Sequence, residues 1–121
     1  RSKDTKLETD FFKLVNRTLH PKGLRYRKHY KKLSGKPDIV FVNRKIAVFI
    51  DGDFWHGYNF NKVKKRLPKK YWREKIENNI KRDKGINKTL KKEGWIVIRI
   101  WEHEIKKLPV KALNRIVYSL K

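Results

Sequence analysis

The chain has 121 residues, with 34 lysines and arginines against 12 aspartates and glutamates, giving a formal net charge of +22. That length points to one domain with a real core and little surplus. A hydrophobic share of 38% with four tryptophans, five tyrosines and six phenylalanines excludes a disordered tail, and the lack of cysteine excludes disulfides and thiolate metal sites. No apolar run approaches the ~20 residues of a membrane span and no signal peptide is visible, so an intracellular location, cytoplasm or nucleoid, is expected. The charge calls for an anionic partner. Nucleic acid fits best, because phosphate neutralisation rewards such a surface whatever its sequence; the bland alternative is a lysine-rich surface set by genome composition or heat. The chain opens at Arg1 and contains no methionine, which points to an upstream segment.

Thr5-Lys6-Leu7-Glu8 has the form of a capping box ahead of Leu7, Phe11, Leu14, Val15 and Leu19, and predicts a helix from about Lys6 to His20. Glu8 has a complete structural explanation there as a capping carboxylate. Pro21-Lys22-Gly23 stops the helix, and Leu24 to Tyr30 alternates loosely, as an edge strand does. Its Arg25 and Arg27 suit either a phosphate backbone or a solvated edge. His29 receives no role.

Pro37 to His56 is the centre of the chain. Ile39 to Val42 and Ile46 to Ile50, parted by Asn43-Arg44-Lys45, read as two antiparallel strands. Asp38 opens the first; the second runs into Asp51-Gly52-Asp53 and then Phe54-Trp55-His56. A hairpin returns on itself, so Asp38 is expected to face Asp51 across the ladder. Carboxylates that close repel unless something positive lies between them, and a hard divalent cation such as Mg²⁺ is the natural candidate.

Gly57 to Lys70 is a basic loop containing Lys64 and Lys65, long enough to suggest a DNA-contacting lid. A long helix is predicted from Lys69 to Glu93, with Trp72, Ile76, Ile80, Ile86 and Leu90 near one face, Arg82 and Asp83 as a structural pair, and Gly94 at its end. Trp95 to Trp101 has the pattern of a strand buried on both faces, able to lie parallel to a hairpin strand, with Glu102 and His103 capping its end. Pro109 to Leu120 closes the chain as a helix. The order α, β, β, β, α, β, α makes a single α/β domain over residues 1–121: one mixed central sheet flanked by helices.

With these residues in view, the chain resembles the very-short-patch repair endonucleases, a branch of the restriction-endonuclease-like fold that nicks DNA beside a T:G mismatch. The resemblance is carried by Arg1 to Glu8, GKPDIVF at Gly35 to Phe41, AVFIDGDFWHG at Ala47 to Gly57, YWREKIENNIKRD at Tyr71 to Asp83 and GWIVIRIWE at Gly94 to Glu102. It implies Asp38 as the catalytic carboxylate that holds Mg²⁺ and the main-chain carbonyl of Ile50 as a further ligand. It implies His56 as the group that activates water or assists proton transfer, and Glu8 as the helix glutamate near the metal. Phe54, Trp55 and Trp72 match aromatics that wedge into the base stack, against a reading of Trp55 and Trp72 as plain core. Asn79 matches a polar residue near the site; Trp95 and Trp101 are assigned to core.

Asp51 stands where the mismatch enzyme has a histidine, and is a candidate second metal ligand. The mismatch enzyme's structural zinc is not expected, since Asp53, Tyr58, Phe60 and His103 stand near its cysteine and histidine positions. The implied partner is double-stranded DNA. Cleavage of matched duplex by a homing or restriction-type nuclease, a non-catalytic DNA-binding module and an RNA-acting nuclease are the alternatives, and the sequence leaves oligomeric state open.

Overall fold

A computed structural model describes residues 6–53 and 70–121. Helix α1 (Lys6–Leu19) buries Glu8, Phe11, Phe12, Val15 and Leu19, a stripe at three- and four-residue spacing that lays the helix on the sheet. It ends one residue before His20, which begins a 3₁₀ turn (His20–Lys22). The expected N-cap, Thr5, lies outside the described residues. Four strands follow the sequence order β1 (Arg27–Lys28), β2 (Ile39–Phe41), β3 (Ile46–Asp51) and β4 (Ile96–Trp101), with α2 (Lys70–Lys92) before β4 and α3 (Glu102–Lys107) and α4 (Pro109–Ser119) after it.

The strands stand side by side in the order β1-β2-β3-β4. β1, β2 and β3 are antiparallel neighbours, and β4 runs parallel to β3. This is the expected mixed α/β sheet of a restriction-endonuclease-like domain. Side chains alternate between its two faces. Ile39, Phe41, Ile46, Val48, Ile50, Ile98 and Ile100 share one core with Phe11 and Val15 of α1 and Leu113 and Ile116 of α4. Ala47 and Phe49 pack on the other face with Leu90 and Ile86 of α2 and with Val97.

Several local expectations are corrected. The edge strand is only two residues long, because His29 adopts a positive φ of 49° and turns the chain. Val42 belongs not to β2 but to a 3₁₀ turn (Val42–Arg44) closed by Lys45 in the left-handed region at φ 55°. Lys45 then ties the hairpin to its neighbours: its Nζ donates to the Glu93 carbonyl and its own carbonyl accepts from the Ile96 N–H, both at 2.8 Å.

β4 is not buried on both faces. Ile98 and Ile100 are buried while Ile96 is 49% exposed, because β4 pairs with β3 alone and forms the sheet edge among the described residues. Trp95 and Trp101 are accordingly half-buried, not core. Glu102 and His103 do not extend the strand's end but begin α3, where the Glu104 carboxylate accepts the Trp101 N–H at 3.0 Å and caps the helix. In α2 only Ile76 and Leu90 of the expected stripe are buried; Trp72, Ile80 and Ile86 are half-buried.

Gly35 and Gly23 separate two costs of adding a side chain. Both have positive φ, 80° and 76°, but a Cβ on Gly35 would lie 2.8 Å from Ile86 Cγ2 and 3.1 Å from Phe49 Cε1, whereas at Gly23 nothing lies within 4 Å. Gly23→Ala is expected to cost about 1–2 kcal/mol from backbone strain alone, and Gly35→Ala measurably more. Urea unfolding of the two variants compares them directly.

Candidate active site

The antiparallel ladder between β2 and β3 ends at Ile39 opposite Val48. Beyond it Pro37 offers no N–H and its carbonyl is taken by the Tyr30 N–H. The Ile50 N–H therefore has no strand partner on that side, and Asp38 Oδ2 accepts it at 2.7 Å. The backbone of Asp38 is held as well: its N–H donates to the Val48 carbonyl and its carbonyl accepts from the His29 N–H, both at 2.9 Å. The His29 ring returns to the same residue, with Nδ1 3.6 Å from Asp38 Oδ1, and packs edge-on against Phe12 of α1. Asp38 is 6% exposed, with both oxygens oriented before any substrate arrives.

Asp51 continues the face of Ala47 and Phe49 at the end of β3 and is 4% exposed. Its partner is not the expected cation shared with Asp38 but Arg99, whose Nη1 lies 3.0 and 3.2 Å from the two carboxylate oxygens. Parallel pairing of Phe49 with Arg99 and of Asp51 with Trp101 sets this geometry, placing the guanidinium one pleat from the carboxylate. The guanidinium also stacks 4.0 Å above the Phe49 ring, donates from Nε to Asn87 Oδ1 at 2.9 Å, and lies 3.6 Å from Asp83 Oδ1. Asp83, read from sequence as a partner of Arg82, thus has Arg99 beside it instead.

Asp38, Ile50, Asp51, Asp83 and Arg99 line one cleft of about 530 Å³, together with Ser34 to Lys36 and Arg82. Sequence reasoning missed His29 and Arg99. A lone arginine in the apolar run Trp95 to Trp101 was the signal for Arg99, since a buried guanidinium demands a carboxylate partner. His29 had no local signal, because its position depends on the pairing of β1 with β2.

The other candidates are dispersed. Glu8 is 1% exposed on α1, one helical turn before Phe12 and on the same side, but it does not line the cleft. Asn79 is half-buried on α2 and shares a side of that helix with Asp83 and Asn87 at four-residue spacing. Trp72, half-buried, meets the 60% exposed Tyr71 edge-on at 5.0 Å. His56, Phe54, Trp55, Lys64 and Lys65 lie outside the described residues. Asp53 Oδ1 and His103 Nδ1, near positions that hold zinc in the mismatch enzyme, are 2.9 Å apart.

Arg25 and Arg27 line a separate groove of about 870 Å³ with Tyr26, Tyr30, Lys32 and Arg44, along β1 and the turn after β2. Arg25 and Arg44 are each fixed through Nη1 to main-chain carbonyls, of His20 and Leu120. The Tyr26 hydroxyl donates to Asn16 Oδ1 at 2.6 Å, and burial raises its pKa, so it stays a donor at neutral pH.

Among the described residues no three of His, Cys, Asp or Glu gather into a group able to hold a metal. Asp38 and the Ile50 carbonyl would supply oxygens only, and few. That suits Mg²⁺, which binds through one or two carboxylates, keeps several waters and takes the rest from substrate phosphates. No helix among the described residues is long and apolar enough to cross a membrane.

The family model described as DNA mismatch endonuclease Vsr matches residues 1–62. The Type II nicking enzyme V.HpaIIP of Haemophilus parainfluenzae is 41% identical over 113 residues, covering 92% of this chain and 77% of that protein. V.XorIIP of Xanthomonas oryzae pv. oryzae, also a Type II nicking enzyme, is 42% identical over 111 residues, 89% of this chain and 77% of its own. The DNA mismatch endonuclease Vsr of Escherichia coli is 31% identical over 102 residues, 84% of this chain and 63% of its own.

The Ile50 N–H sets apart two substitutions of Asp38. Asp38→Ala leaves that buried donor unpaired and is expected to cost about 1–3 kcal/mol. Asp38→Asn keeps an acceptor oxygen and should stay within about 1 kcal/mol of wild type. Urea midpoints of the two proteins check this, and the asparagine variant is the cleaner control for chemistry.

Proposed function

Because the chain belongs to the Vsr family of DNA endonucleases, we propose that the cleft around Asp38 hydrolyses one phosphodiester bond of duplex DNA with the help of Mg²⁺, nicking beside a T:G mismatch. The observation that carries this reading is the state of Asp38: a buried carboxylate with one oxygen on a backbone N–H and the other beside an imidazole, opening onto a cleft in a protein of charge +22. Mismatch as the substrate draws on the Escherichia coli relative, which carries that word in its name.

When bound, Mg²⁺ would neutralise phosphate charge and lower the pKa of the attacking water. Asp38 and the Ile50 carbonyl would hold it. The Ile50 N–H keeps the Asp38 carboxylate in one orientation, so its outer lone pairs remain directed to the cleft at no reorganisation cost. His29 limits the rotation of that carboxylate from the other side. His56 is the proposed proton acceptor, on the strength of its place five residues after Asp51 in the sequence. Glu8, Asn79 and the aromatics Phe54, Trp55 and Trp72 are proposed to support the metal and unstack the mismatched step, where opening the stack costs least.

Arg25 and Arg27, with Lys64 and Lys65, are proposed to grip the phosphate backbone away from the reacting bond. Each phosphate contact contributes about 0.9 to the slope of log affinity against log salt. Replacing Arg25 and Arg27 by alanine should therefore lower that slope by about 0.9 per contact, leaving the single-turnover rate at saturating protein near wild type.

The deciding experiment is cleavage of end-labelled duplexes, matched and with one T:G pair, by wild type and Asp38→Asn with Mg²⁺. Mismatch-selective nicking that disappears in the variant, with binding kept, is the expected result. Full activity in Asp38→Asn would sink the assignment. Cutting of the matched duplex at one place would transfer the substrate to the sequence-specific class that the names of the Haemophilus and Xanthomonas relatives describe.

A further inference from the structure

Two buried or nearly buried carboxylates other than Asp38 line the cleft, Asp51 on β3 and Asp83 on α2. Either could add an oxygen to a divalent cation at Asp38, or gather a second one. What distinguishes them is Arg99. Its Nη1 contacts both oxygens of Asp51 at 3.0 and 3.2 Å and lies 3.6 Å from Asp83, so one guanidinium stands against two carboxylates. Its Nε is fixed on Asn87, and its plane is stacked 4.0 Å over Phe49. Asp38, by contrast, takes a neutral backbone N–H on one oxygen and an imidazole at 3.6 Å from the other.

We propose that Arg99 is a positioning residue that fixes the metal capacity of the cleft at one divalent cation, by taking Asp51 and Asp83 as its own counter-ions and leaving Asp38 as the single carboxylate for metal. This rests on the reading of Asp38 as a metal ligand, and it replaces the sequence expectation of Asp51 as a second one. The physical ground is competition for the same lone pairs. A carboxylate held through both oxygens by an arginine with a second hydrogen-bond anchor and an aromatic platform must give up that pair to reach a cation, and the freed guanidinium would then face the cation at close range in a half-buried cleft. Local charge points the same way. Asp51, Asp83 and Arg99 together sum to one negative charge, whereas the same cleft without Arg99 would present three carboxylates to solvent cations and to an incoming phosphate.

The test is Mn²⁺ binding to the full chain without DNA, followed by electron paramagnetic resonance, alongside thermal melting of each variant. Wild type should bind one Mn²⁺, and Asp38→Asn should weaken it by about a hundredfold. Arg99→Gln should tighten Mn²⁺ binding by about tenfold or admit a second ion, because two carboxylates are released. The pair Asp51→Asn with Arg99→Gln removes the counter-ion and the guanidinium together, and should bind Mn²⁺ within about threefold of wild type.

A purely structural role for Arg99 would lower the melting temperature and leave Mn²⁺ affinity and stoichiometry unchanged in Arg99→Gln; that result overturns the proposal. So does a double variant that loses Mn²⁺ as Asp38→Asn does, since Asp51 would then be a ligand. Should Arg99→Gln fail to fold, Arg99→Lys and the double variant carry the test: lysine keeps the charge and should keep one ion at near wild-type affinity, and a second ion there would overturn the proposal. Unchanged Mn²⁺ binding in Asp38→Asn, or none in wild type, would instead remove the metal reading of Asp38 and the proposal with it.

Discussion

The constraint on which this structure turns is the burial of carboxylates. Glu8, Asp38 and Asp51 are 1%, 6% and 4% exposed in a chain with only 12 acidic residues. An ionised carboxylate removed from water costs several kcal/mol unless hydrogen bonds or an opposite charge replace its hydration. The fold meets that cost in two ways at one cleft. Asp51 has a guanidinium on both oxygens. Asp38 has a backbone N–H and an imidazole at longer range. The difference decides reactivity: the first carboxylate has its charge already matched, while the second is oriented yet still able to accept a cation.

Sheet topology makes this possible. β3 is shared, with β2 antiparallel on one side and β4 parallel on the other. Antiparallel return brings Asp38, at the start of β2, beside the second half of β3. The parallel neighbour brings Arg99 beside the same half, and the period of two places Arg99 on the face of Phe49 and Asp51. Helix α2 covers that face and adds Asp83 and Asn87 from successive turns. The cleft thus forms at the carboxyl ends of β3 and β4, where open α/β sheets build their sites. Arg99 binds strand to helix in the act of neutralising Asp51, so the packing of α2 and the electrostatics of the cleft are one arrangement.

What the sequence disclosed follows from the range of the interactions involved. The hairpin was legible because β-branched runs and a polar turn are local signals, and Asp38 stood out as an acid at the start of such a run. Helix α1 was legible from its apolar spacing. The hairpin's ends were misjudged: Asp38 and Asp51 share a cleft, but the cation against Asp51 comes from a strand 48 residues away. Ile96 to Trp101 looked buried on both faces because hydrophobicity alone cannot say whether another strand lies beyond; Arg99 in its midst was the residue at odds with that reading. Helix α3 was missed because six residues have too little periodicity to register, and its cap, Glu104 on the Trp101 N–H, is visible only once the turn exists. His29 required knowledge that a two-residue edge strand ends with a positive φ opposite Asp38.

The basic groove and the cleft stand in a definite relation. Both border β1 and β2, the groove along the outer edge and the turn after β2, the cleft where β2 begins. β2 is three residues long, which spans about 10 Å, or about three base-pair steps of duplex rise. One DNA segment therefore reaches both without bending sharply. Cations in the groove add affinity through phosphates that do not react, and Arg25 and Arg44, each held by a main-chain carbonyl, present their remaining donors without searching for a conformation. The cleft keeps its own cation, Arg99, committed to carboxylates. Excess positive charge is thereby placed where it binds the polymer and balanced where it would compete with a metal, so affinity and chemistry are assigned to different residues of one short hairpin.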